Sequence, residues 1–85
     1  MFGKELLMEK SFYGAVRLVL VKRKKLLKSS YEIGIIGGGD GRYLKLFEVH
    51  AHDSAVDVFQ RLNKVLSRMS REKIEAIDDL LDALS

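Results

Sequence analysis

Arg17, Lys22, Arg23, Lys24, Lys25 and Lys28 place six cations in one stretch with no acid among them. Clustered Lys and Arg neutralise phosphates and release counterions, which gives salt-sensitive binding with little sequence choice. Tyr31, Tyr43, Lys45 and Phe47 follow, on either side of a glycine-dense stretch. If the two flanking strands pair odd positions with odd, these four share one sheet face, and Tyr13 and Arg17 join them when the preceding strand's register agrees. Aromatic and cationic groups on an open sheet make a stacking platform for single-stranded nucleic acid. The expectation is a small non-catalytic nucleic-acid-binding or regulatory module, for DNA or RNA alike. A one-residue slip would split the set between faces. The plain counterpart is a solvated charged loop, which also guards against edge pairing.

His50, His52 and Asp53 are the nearest approach to a metal site. Alternate residues of a strand project from one face, so two imidazoles and Glu48 could converge there. A site needs three or four ligands, and the chain has two His and no Cys. A polar strand end running into a helix cap accounts for the same residues, so no metal and no cofactor is expected.

Gly37-Gly38-Gly39-Asp40-Gly41 could cradle phosphate in principle. Phosphate-binding loops need a following helix N-terminus, and here a strand-like run follows, with no Lys-Ser/Thr. A hairpin turn is the expectation. Ser11, Ser29, Ser30, Ser54, Ser67, Ser70 and Ser85 fall at element ends, where capping and turn roles suffice. No Ser-His-acid arrangement follows from the spacing, so the chain is not expected to be an enzyme.

Positioning these groups falls to a chain of 85 residues, enough for one domain burying roughly 60–65% of its unfolded surface. Cysteine, proline, tryptophan and threonine are all absent, so no disulfide or thiolate zinc site contributes. Abundant Lys, Glu and aliphatic residues suggest a thermophile's protein. No apolar run approaches the roughly 20 residues of a membrane span, and the N-terminus lacks a secretory apolar stretch. A cytoplasmic location without membrane contact is therefore expected. Charge is uneven, at +4 over residues 1–53 and −1 over residues 54–85.

Phe2–Lys10 reads as a short helical turn anchored by Leu6 and Leu7. Tyr13–Arg23 is the first strand, apolar on both parities, and Tyr31–Ile36 and Tyr43–Val49 form a hairpin. Beyond Ala51 the period changes from strand to helix. Asp53 or Ser54 can cap a helix carrying the stripe Ala55, Val58, Phe59, Leu62, Val65, Leu66, Met69. Ser70 caps a second helix striped by Ile74, Ile77, Leu81 and Leu84. The expected fold is a single α+β domain over residues 1–85: a three-stranded antiparallel meander (12–51) packed by helices at 54–69 and 71–84, in the order (α)βββαα. The terminal stripe, with acids behind it, offers a second reading as a protein-interaction or homodimerisation helix.

Overall fold

The structure, a computed structural model, describes residues 3–39 and 41–84. Four strands, β1 (Lys4–Phe12), β2 (Val16–Arg23), β3 (Ser30–Gly37) and β4 (Tyr43–Val49), are followed by helices α1 (His52–Ser67) and α2 (Arg71–Ala83). The strands form one antiparallel sheet in the order β1-β2-β3-β4. The α+β class and the meander stand, but the meander has four strands rather than three.

The fourth strand comes from the segment read as helical. Residues 4–12 pair with β2 from Lys4↔Arg23 to Phe12↔Val16, with Leu7 alone left out of the ladder. A helix this short is marginal in water, whereas β2 offers a complete partner for its backbone groups. Tyr13 and Gly14 make the reversal, with φ of 55° and 68°. The Ala15 N–H donates to the Phe12 carbonyl at 3.0 Å, closing a turn whose two central residues are left-handed, the geometry that suits a twisted hairpin. Strain at non-glycine Tyr13 is offset by anchoring: its hydroxyl donates to the Met69 carbonyl at 3.4 Å, and Arg71 lies 5.2 Å from its ring centre.

Both helices lie on the sheet face that carries Val16, Leu18 and Leu20 of β2 with Ile33 and Ile35 of β3. These close a buried core with Ala55, Phe59, Leu66, Ile74 and Leu81. The α1 stripe packs as its spacing requires, except Val65, which is half exposed. The helix starts at His52, ahead of the expected Asp53/Ser54 cap. Ala51 occupies the cap position with no side-chain bond, and Asp53 supplies first-turn acid instead. Ser70 caps α2 as read, its Oγ accepting from the Lys73 N–H at 3.3 Å.

Two irregularities set the rest. Between the pairs Leu6↔Val21 and Met8↔Leu20, β1 carries one extra residue, Leu7. Between Ile33↔Phe47 and Gly34↔Lys45, β4 carries one extra residue, Leu46. Each is a bulge, and each changes which side chains share a face beyond it.

Candidate nucleic-acid interface

The face opposite the helices carries Arg17, Val19, Val21 and Arg23 from β2, and Glu32, Gly34 and Ile36 from β3. Lys4, Leu6 and Glu9 flank them from β1, with Tyr43, Lys45 and Glu48 from β4. Among the described residues no helix covers this face. At its centre Glu32 is 1% exposed. Its Oε1 accepts from the Arg23 guanidinium at 2.9 Å and its Oε2 from the Tyr43 hydroxyl at 2.9 Å, with the Lys4 ammonium 3.9 Å away. Burial pushes this carboxyl's pKa upward, but the bonds from Tyr43 and Arg23 and the charges of Lys4 and Arg23 outweigh it and hold it below the usual value. Burial and the bond to Glu32 push the Tyr43 phenol well above its own.

Gly34 is what lets Tyr43 reach Glu32. A Cβ at Gly34 would come within 2.7 Å of Tyr43 Cζ, so the ring crosses the strand where there is no side chain. The Lys4 ammonium sits 5.1 Å from the ring centre, in cation–π range. Leu6, Val21, Ile36 and Tyr43 line a hollow of about 290 Å³ on this face. A second, of about 420 Å³, opens at the sheet end between Lys4, Arg23, Lys24, Lys25 and Leu26. Lys4 borders both, so hollow and sheet face form one continuous surface.

The expected set is partly assembled. Arg17, Arg23, Tyr43 and Lys45 reach the uncovered face, and Lys24 and Lys25 border its end. Tyr31, Phe47 and Lys22 do not join them. Tyr31 pairs with Lys22 and Val49 on the helix side, packs against the core and meets His52 edge-on at 5.6 Å. Phe47, half exposed, pairs with Ile33 ahead of the bulge, while Lys45 and Tyr43 lie beyond it. The extra residue in β4 is therefore the one-residue slip that splits the aromatics between faces. Tyr13 is also elsewhere, on the turn beside Met69 and Arg71.

Most of the cations have carboxylate partners. Arg17 pairs with Glu9 at 3.0 Å, Lys24 with Glu5 at 3.8 Å and Lys25 with Glu48 at 3.2 Å. Lys45 also reaches Glu48, at 3.1 Å, and the hydrogen bonds from Lys45 and then Lys25 bring that carboxyl's pKa down to about 2. Lys28 is exposed and makes no ion pair among the described residues. Two participants escaped sequence reasoning. Lys4 lay in the segment read as helical, and Glu32, one acid inside the apolar run Tyr31–Ile36, was the visible sign of a buried charge seeking partners.

The proposed interaction helix is largely spent inside the chain. Ile74 and Leu81 are buried at 0% and 5% exposure, Ile77 packs against the core, and only Leu84 of the four is exposed. The amphipathic stripe faces its own sheet. Near the other candidate, His52 Nδ1 lies 3.3 Å from Asp53 Oδ1, and Glu48 is engaged by lysines. Among the described residues no three His, Cys, Asp or Glu groups converge as a metal site would require. In the glycine loop the Gly38 N–H already donates to Asp78 Oδ1 at 3.1 Å, and Asp40 lies outside the described residues. No described helix is long and apolar enough to cross a membrane. Comparison with family models, with curated proteins and with solved structures gives no match to this chain.

Proposed function

We propose that the chain is a non-catalytic module that holds single-stranded nucleic acid along the uncovered sheet face and the basic hollow at its end. The observation that carries this reading is the continuity of Tyr43, the face's aromatic ring, with a concavity bordered by Lys4, Arg23, Lys24 and Lys25. Arg17 and Arg23, at the two ends of β2, are about 20 Å apart at roughly 3.3 Å per residue, room for several nucleotides. The cations are not equivalent. Arg23 is committed to a buried carboxylate, and removing that partner would strand a charge. Lys24, Lys25, Arg17 and Lys45 hold exposed carboxylates in pairs worth about 0–1 kcal/mol each, so a phosphate can exchange for Glu5, Glu9 or Glu48 at little cost. The contact set is thus Lys4, Arg17, Lys24, Lys25, Lys28 and Lys45, with Tyr43 the stacking surface.

The test is titration of a labelled single-stranded oligonucleotide at roughly 50 and 200 mM salt. Binding that weakens with salt, and again on Lys24→Ala with Lys25→Ala, supports the reading. No retention at the lower salt overturns it.

A second reading, association with another protein chain, is favoured by one observation. Leu80 of α2 and Leu84 at its C-cap are 59% and 64% exposed, and Leu84 borders a cleft with Leu44 of β4. Such grouped apolar exposure suits a protein contact. Light scattering after size exclusion tests its homodimeric form, since a monomer at high concentration removes self-association.

A further inference from the structure

The loop between β2 and β3 carries the two most exposed large apolar side chains of the described residues, Leu26 at 79% and Leu27 at 94%. Single exposed leucines are ordinary, but an adjacent pair at a loop tip is an apolar protrusion that water solvates poorly. Lys24 and Lys25 precede the pair and Lys28 follows it. Leu26 also borders the basic hollow with Lys4 and Arg23. The tip is therefore apolar at its point and cationic around its base.

We propose that Leu26 and Leu27 enter between neighbouring bases of a single strand whose phosphates are held by Lys24, Lys25 and Lys28. This rests on the nucleic-acid reading above and adds the mode of contact. Apolar wedges between base steps are a general device of nucleic-acid recognition. Their cost is least where the bases are already unpaired. A linear polyanion is the occupant that the charge distribution favours. Cations do not only ring the tip; they continue along the uncovered face through Lys4 and Lys45 to Arg17, at the far end of β2. A lipid surface touching the tip would leave Arg17 and Lys45 unengaged.

The test uses the full chain and a single-stranded oligonucleotide carrying a fluorescent adenine analogue that stacking quenches. Binding of the unaltered protein should raise the fluorescence as bases separate. Leu26→Ser with Leu27→Ser, two exposed positions whose change should leave the melting temperature alone, should abolish the rise. That variant should also weaken binding about tenfold, the scale of one lost stacking contact, with the salt dependence unchanged. Replacing Lys24, Lys25 and Lys28 by Ala should instead lower the salt dependence. If the lysine variant weakens while the leucine variant binds and fluoresces like the parent, the wedge is overturned and the nucleic-acid reading survives. If the unaltered protein binds no oligonucleotide at low salt, both fall. If it binds phosphatidylserine-containing vesicles, and the leucine variant loses that binding alone, the tip is a lipid contact and the wedge is overturned.

Discussion

The Tyr43 hydroxyl donates to Glu32 Oε2 at 2.9 Å, across Gly34 of β3, where no side chain stands in its way. An exposed aromatic ring and a buried carboxylate are thereby fixed to each other on a face that no described helix covers. With Arg23 on the second carboxylate oxygen, both oxygens of Glu32 are bonded, while the ion pairs Arg17–Glu9 and Lys25–Glu48 at the rim of that face lie nearer solvent.

Tyr43→Phe removes a donor from Glu32 and keeps the ring. Loss of one bond to a charged, buried acceptor should destabilise the chain by about 1.5–3 kcal/mol in urea unfolding. Nucleic-acid binding, if carried by stacking, should be nearly unchanged, whereas Tyr43→Leu should weaken it.

Glu32 also makes stability depend on pH in a defined direction. Its folded pKa lies below the value of 4.5 that an unperturbed carboxyl has, so the unfolded chain binds protons more readily in that window. Its contribution is present above the unfolded pKa and is lost as pH falls through the folded one. Glu48, brought down to about 2, acts with the same sign. Thermal melts should therefore show stability declining as the solution is acidified below about 4.5. Glu32→Gln should flatten part of that decline and Glu48→Gln another part.

Gly34→Ala forces a methyl group against the Tyr43 ring. Overpacking of this kind costs about 1–3 kcal/mol. In combination with Tyr43→Ala most of that cost should disappear, so a double-mutant cycle should return a clear coupling energy. Simple additivity of the two changes would show that the ring does not lie over the glycine.

Leu81→Ala should cost about 2–5 kcal/mol and Ile74→Ala a similar amount, since both fill the core beneath the sheet. Leu84→Ala, on the same apparent stripe but 64% exposed, should stay within about 0.5 kcal/mol. Chemical denaturation of the three variants checks which positions of the stripe pack inside the chain.

What sequence alone could reveal follows from what each element depends on. The β3–β4 hairpin and both helices were legible, because glycine turn chemistry, the Ser70 cap and the apolar period are local signals. Strand β1 was not. Leu6 and Leu7 anchor a helical turn or a strand equally well, and only the presence of β2 decides between them. The face assignment of Tyr31 and Phe47 failed for a different reason. The bulge at Leu46 is a property of strand pairing, and one inserted residue moves every side chain beyond it to the other side. The exposed tip at Leu26 and Leu27 was hidden as well, since a pair of leucines in sequence ordinarily signals burial.

Both bulges fall on the outermost strands, Leu7 on β1 and Leu46 on β4. Charged residues accompany them, Lys4, Glu5, Glu9 and Lys10 on one border and Lys45 and Glu48 on the other. A kinked, charged border is a poor template for an incoming strand. The insertion that scatters the aromatic residues thus also turns the β4 border away from the straight, unpaired row of backbone groups onto which a further strand would add.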